Sequence, residues 1–247
     1  MYKTGEANWA DKVGAINRRT PFGDANAGVL LAEMGAILSL MPPPPAKVLD
    51  AGCACGRLTH FLQMQGYQAT GADVCAGEIE WARTNPARWS GQESAPEFMV
   101  CDFDHLPSGF DVVIFADALH HSVNRRNTLQ SAFAALNTGG ILIACEPGVG
   151  HGWTKVSREW SRSMNVTERS CPPFSVVWSG WQAGFRNPKV YAHPTTAFGA
   201  AYSRGGHIRE NRIMALFRSV PTPLSWIVLS VLKWAHGITV MQKPIHP

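Results

Sequence analysis

The chain has 247 residues, with 22 Lys and Arg against 18 Asp and Glu, a formal charge of +4, and only 16% charged residues. That length suits one large α/β domain with trimmings and a full core. The positive balance is too mild and diffuse to indicate nucleic acid, and no nucleic-acid partner is expected.

The first thirty residues hold Lys3, Glu6, Asp11, Lys12, Arg18 and Arg19 without an apolar core, so no secretory signal is visible. Six cysteines then read as reduced thiols of a cytoplasmic protein. Nine tryptophans beside so few charges imply that some apolar surface meets a partner, a lipid or a ligand.

Residues 1–45 read as an N-terminal helical cap, with a helix around Ala27 to Leu40 and the stiff spacer Pro42 to Pro45 before the first strand. From residue 46 the pattern alternates. "KVLDAG", "QATGADV", "EFMVCD", "FDVVIFAD" and "GGILIACEP" are short apolar runs of the kind buried on both faces. Helical segments lie between them: Leu58, Phe61, Leu62 and Gln65 at helical spacing up to Gly66, and a helix from an Asn124 cap to Leu136 closed by Gly139. Strand and helix in alternation predict a mostly parallel, doubly wound α/β sheet with helices on both faces.

After Pro147 the stretch 148–173 has no clear period. "FSVVWSGWQAGFRNPKVYAH" predicts a helix, a stop at Gly184 and a strand, and "ITVMQK" a last strand. In the segment 224–235, Leu224, Ile227, Val228, Val231, Leu232 and Ala235 share one helical face and are expected to bury against the domain. Trp226, Leu229, Trp234 and Lys233 lie off that stripe and suit peripheral contact with a membrane interface, a protein partner or a helical cap. The longest apolar stretch, Pro223 to Met241, is broken by Lys233 and His236 and falls short of the ~20 apolar residues of a spanning helix.

The stretch "VLDAGCACGR" admits three readings. A metal site on Cys53 and Cys55 needs a second ligand pair at familiar spacing. Cys75 and Cys101 fall at strand ends, but a lone C-x-C with small neighbours reads as packing, and no metal is expected. A dinucleotide loop needs G-x-G-x-x-G, and Arg57 stands where the third glycine belongs.

Asp50, Gly52, Ala54 and Gly56 instead form Asp-x-Gly-x-(Gly/Ala)-x-Gly after a first strand. This resembles the class I S-adenosylmethionine (SAM)-dependent methyltransferases, with Ala54 at their usual middle glycine. The resemblance covers about residues 46–148 and implies a Rossmann-like, seven-stranded fold with SAM as cofactor. It implies a SAM-binding core at 46–148 inside a domain of 46–247, with substrate-side and C-terminal elements, including a helical insertion, at 149–247.

The resemblance also assigns roles. Asp50, Gly52, Cys53, Ala54 and Gly56 would form the turn beneath the cofactor, and Asp73, with Val74 beside it, would hold the ribose hydroxyls. Asp102 would meet the adenine amino group, with Phe103 next to the ring. Ala116 and Asp117 would line the methionine end.

"ALHHS" resembles the double histidine of small-molecule members of the family. His121 or His151 is the expected general base and His120 the structural ring; failing these, the reaction rests on alignment alone or on a carboxylate such as Asp117 or Glu146. "EPGVGHGWTKVSREW" and "PPFSVVWSGWQAGFRN" look similar to a bacterial branch associated with surface-polysaccharide assembly. In "YSRGGHIRENR", Arg204, His207 and Arg209 suit phosphate or sulfate on a substrate, or form a solvated turn.

The expected function is methyl transfer to a small molecule or glycan precursor, at oxygen. The alternatives are a lipid, quinone or polyketide-like acceptor, or a catalytically silent subunit of a glycan-assembly complex.

Overall fold

The computed structural model describes residues 27–85, 95–196 and 222–245, together with Gly5. Helix α1 (Ala27–Leu40) leads into β1 (Lys47–Ala51), α2 (Arg57–Met64), β2 (Gln68–Asp73), α3 (Ala76–Thr84) and β3 (Glu97–Val100). There follow β4 (Phe110–Ala116), α4 (Arg125–Ala135), β5 (Leu136–Cys145), α5 (Lys155–Met164), α6 (Pro173–Ala183), β6 (Arg186–Ala192), α7 (Thr222–Leu232) and β7 (Gly237–Gln242).

The seven strands form one sheet in the order β3-β2-β1-β4-β5-β7-β6. The first five are parallel, and β7 runs antiparallel to both β5 and β6. The expected doubly wound sheet is therefore present. Chain order reverses between β1 and β4, and at such a switch point the carboxyl ends of the strands leave a crevice for a ligand.

Strand alternation builds two cores. Leu49, Ala51, Val113, Phe115, Leu142 and Ala144 point to one face, where Leu129 and Ala132 of α4 and Val176 and Val177 of α6 cover them. Val48, Val112, Ile114 and Ile143 point to the other, against Leu58 and Leu62 of α2 and Met34 and Ile37 of α1. A period of two along each strand and burial on both faces explain the near-continuous apolar runs. Through Met34 and Ile37 the first described helix is part of the sheet's covering layer.

Three expectations need correction. Helix α4 starts at the Asn124 cap, whose side-chain oxygen accepts from the Asn127 amide at 3.3 Å, but it ends at Ala135. Leu136 already opens β5, and Gly139 sits within that strand at φ +81° rather than closing the helix. The period-free stretch contains α5, started by Thr154, whose hydroxyl accepts from the Ser157 amide at 3.1 Å. Only Ser157 of this helix is buried, so no apolar stripe could announce it. In α7, Leu224, Ile227 and Val231 are 51–67% exposed: the short helix leans on edge strand β6, so its apolar stripe is not laid across the sheet.

Candidate active site

The turn after β1 is shaped by backbone that side chains rarely adopt. Gly52 and Gly56 have φ of +84° and +82°. A methyl group on Gly52 would lie 2.5 Å from the Ala118 Cβ, and one on Gly56 2.6 Å from the Phe98 ring, so both glycines are required by the protein's own packing. Between them Ala54 is held at φ +47°, a conformation costing an alanine ~1–2 kcal/mol. Its amide compensates by donating to Asp73 Oδ2 at 2.9 Å, while the Cys75 amide donates to Asp73 Oδ1 at 2.8 Å.

The end of β2 is thus tied to the turn after β1. The Asp73 oxygens take these backbone N–H groups and retain acceptor capacity. Burial pushes the Asp73 carboxyl above its ordinary range, against the pull of those amides. Asp50, at the end of β1, is buried and accepts the Thr59 hydroxyl at 2.7 Å; burial lifts it to about 7, with the Asp73 charge adding to the rise.

After β3, Asp102 caps a single turn, Phe103–His105, by accepting from the Asp104 amide at 2.9 Å. This sets the Phe103 ring edge-on against Phe115, 5.4 Å between centroids, beside Gly52. After β4, Asp117 takes φ +50° and faces the same space. Burial and the neighbouring Glu146 charge lift its carboxyl to about 6. Asp117 is accessible only in the sense that the cavity is open: protein surrounds it, so its charge is still poorly solvated.

These groups enclose a cavity of about 700 Å³ at the carboxyl ends of β1, β2 and β4. Asp50, Gly52, Cys53, Ala54, Asp73, Val74, Asp102, Phe103, Ala116, Asp117 and His121 all line it. Gly56 does not; it lies buried under Phe98. His151 is not on the wall either, but stands behind it. Arg204, His207 and Arg209 lie outside the described residues.

The turn Leu119–His121 follows β4 and is pinned by Glu146, at the end of β5. The buried Glu146 carboxylate receives the amides of Ala118, Leu119 and His120 at 2.8–3.1 Å and His120 Nδ1 at 2.8 Å. Burial alone would raise Glu146, but the His120 bond and the amides outweigh it and hold the carboxyl below its usual range. His120 is correspondingly raised, Glu146 overcoming desolvation. His121 is driven down to about 4 by burial and by the His120 charge. Its Nδ1 donates to the Thr167 carbonyl at 2.8 Å, and Glu168 accepts from His151 Nε2 at 2.7 Å.

The methyltransferase-domain family matches residues 27–189, two thirds of the chain, spanning α1 through most of β6. The chain belongs to the SAM-dependent methyltransferases. A tRNA 5-carboxymethoxyuridine methyltransferase of Escherichia coli K12 is 27% identical over 127 residues, 50% of this chain and 48% of that protein. A carboxy-S-adenosyl-L-methionine synthase of Campylobacter jejuni is 28% identical over 133 residues, 53% and 55% of the two chains. The chain therefore spans about half the length of these curated relatives.

Among solved structures, the [4+2]-cyclase SpnF aligns over 99% of this chain and 98% of its own, with a TM-score of 0.64 and 17% identity. Phosphoethanolamine N-methyltransferase 2 of Haemonchus contortus, solved with SAM, aligns over 85% and 52% of the two chains, with a TM-score of 0.60 and 18% identity. At such identities the likeness is one of fold.

The family's cofactor is SAM, and the residues present fit it. The cavity volume lies in the range of small-molecule sites, and a carboxylate stands at the end of each of β1 and β2 and just beyond β3 and β4.

Several wall residues of this methyltransferase fold escape sequence reading. Glu33 comes from α1 and is lifted to about 8, by burial first and then by the Asp117 and Glu146 charges. Its only sequence signal is being the one acid in an apolar helix. Arg57, Asn124 and Asn127 also reach the cavity, from the starts of α2 and α4. Glu168 is not on the wall; it arrives on a strap, residues 165–172, held against the loops after β4 and β5 by Arg169 N–H to the His120 carbonyl, Cys171 N–H to the Pro147 carbonyl and Arg125 to the Ser170 carbonyl.

Among the described residues no helix is long and apolar enough to cross a membrane.

Proposed function

We propose that this chain transfers the methyl group of SAM to an oxygen of a small molecule or glycan precursor. The observation that carries the reading is the lining of the cavity: the strand-end carboxylates Asp50, Asp73, Asp102 and Asp117 share its wall with His121. Bound there, SAM supplies a methyl group already activated on a sulfonium.

The chain's own residues then have three tasks. Asp73, stiffened by the Ala54 and Cys75 amides, accepts the two ribose hydroxyls, and Asp102 with Phe103 receives the adenine. Ala116 and Asp117, with the turn from Asp50 through Gly56, hold the remainder, so that acceptor and methyl group meet in line. The histidine cluster draws off the acceptor's proton, with His121 its member on the wall. His151 supports it from behind, oriented by Glu168.

Domain boundaries at 45/46 and 148/149, and the polysaccharide lineage, belong to the same reading. Arg204, His207 and Arg209 would bind an anionic group on the acceptor, which suits a phosphorylated or sulfated glycan precursor. The exposed apolar residues Leu224, Ile227, Val231 and Trp234 of the α7 region favour peripheral contact with a lipid surface, where such precursors are assembled.

The test is release of S-adenosylhomocysteine from SAM in the presence of panels of hydroxylated acceptors: sugar phosphates and glycan precursors in one, quinones and polyketides in the other. Turnover confined to the second panel would replace the glycan reading. SAM binding without turnover in either would favour the silent-subunit alternative.

A further inference from the structure

We infer that His120, His121 and Glu168 bind one divalent transition-metal ion at the acceptor side of the cavity. One ligand atom from each lies within 4.8 Å of the others, and among the described residues theirs is the one cluster of three or more such groups; no cysteine belongs to it. The sequence offered no metal site because spacing rules look for paired cysteines or spaced histidines. Here two adjacent histidines meet a glutamate 47 positions further on, delivered by a strap.

Each ligand is already oriented by a second group. His120 Nδ1 donates to Glu146 Oε2, His121 Nδ1 to the Thr167 carbonyl, and His151 Nε2 to Glu168 Oε2, at 2.7–2.8 Å. Metal-binding histidines characteristically donate their other ring N–H to a carboxylate or a carbonyl, which fixes the tautomer and makes the ligating nitrogen more basic. In His120 this leaves the lone pair on Nε2, the atom 4.0 Å from Glu168 Oε2. Ligands of a tetrahedral ion at ~2.0–2.2 Å lie about 3.4 Å apart, so the pair closes by well under ~1 Å when it takes up a metal.

The His120 and Glu168 side chains are 7% and 3% exposed, so the ion would be held in a dry pocket. Two imidazoles and one carboxylate suit zinc, iron(II), cobalt(II) or manganese(II), and disfavour calcium and magnesium, which prefer oxygen throughout. Three protein ligands leave a further position open, and of the three only His121 lines the cavity, so an acceptor would reach the ion past that ring. It fits an oxygen ligand, water or the acceptor's hydroxyl or carboxylate; with His121 Nε2 on the ion that ring cannot also take a proton, and acidification of the bound O–H by the ion would replace it as the base. Only this use of the ion rests on the methyl-transfer reading; the site rests on the side chains.

The test uses the untagged full chain, stripped with chelator, then titrated with Co²⁺ by visible absorption and with Zn²⁺ by calorimetry. Saturable one-to-one binding is expected, with a cobalt d–d band and none of the near-ultraviolet charge-transfer absorption of a thiolate ligand. Glu168→Gln and His121→Ala should each weaken binding by at least about tenfold, with circular dichroism unchanged as the fold control. Absence of one-to-one binding, affinity that survives both substitutions, or a thiolate band would overturn the inference. Metal binding in a protein that fails to bind SAM would sink the methyltransferase reading and leave the metal site standing.

Discussion

His120 Nδ1 lies 2.8 Å from Glu146 Oε2, and this bond joins the end of β4 to the end of β5 beneath the acceptor side of the cavity. Because the same carboxylate also takes three successive amides, Glu146 sets the shape of the whole Leu119–His121 turn. It acts on the cavity through that turn, and not on the acceptor directly.

Glu146→Gln should therefore be costly. An amide cannot replace an ionised acceptor of four N–H groups without turning a donor toward one of them. Truncating such a buried charged network costs on the order of 3 kcal/mol. Urea unfolding should show that loss; a midpoint equal to that of the unmodified chain would mean the carboxylate is not holding the turn.

Asp50 gives a pH dependence with a definite sign. Its folded pKa of about 7 is above the ordinary carboxyl value of ~3.9, so the folded state favours the protonated form. The stability it contributes is complete below ~pH 3.9 and is lost as pH rises through about 7. Asp50→Asn, which cannot ionise, should gain stability relative to the unmodified chain between pH 5 and pH 8, by more than the ~1.4 kcal/mol equivalent of one pKa unit. Urea melts of both proteins without cofactor measure it, and parallel curves at the two pH values would show that Asp50 is ionised in the fold.

The sheet was largely legible in the sequence, and the reason is geometric. Strands buried on both faces leave apolar runs, and the turn from Asp50 to Gly56 leaves a pattern set by three positive-φ positions. Asp73, Asp102 and Asp117 follow because each sits where a strand or its first loop residues reach the cavity. What the sequence hid lies in packing between distant segments. Glu168 reaches the histidines along a strap without period, α5 buries one serine, and Glu33 meets the cavity from a helix with no visible link to the motif. Glu146 was visible only as a fallback base; its four hydrogen bonds show it to be a positioning group.

The two candidate histidines should separate kinetically. His121 lines the cavity and His151 does not. Once an acceptor is found, His121→Ala should lower kcat by about a hundredfold or more, in keeping with the ~10²–10⁴ range of positioned proton transfer. His151→Ala, acting through Glu168, should cost clearly less. The reverse order would place the acceptor against His151 instead of His121.

Apolar exposure on α7 predicts lipid binding. Ile227 and Val231 are 62% and 67% exposed, with Leu224 and Trp234 alongside and Lys233 adjacent. The chain should co-sediment with anionic vesicles, and Ile227→Ser with Val231→Ser should reduce the bound fraction, since interfacial binding scales with buried apolar area. Equal sedimentation with and without vesicles would assign that face to a protein contact.

The measurement closest to the central claim is a calorimetric titration of SAM into the unmodified chain and into Asp73→Ala. If SAM sits over the ends of β1 and β2, the unmodified chain should bind one equivalent. Asp73→Ala, with two ribose hydroxyls left unpaired, should lose ~1–3 kcal/mol, roughly tenfold or more in affinity. Circular dichroism should be unchanged, because the Ala54 and Cys75 amides then turn to water in the open cavity. No saturable binding to the unmodified chain, or equal affinity in the folded variant, would contradict SAM binding at this site.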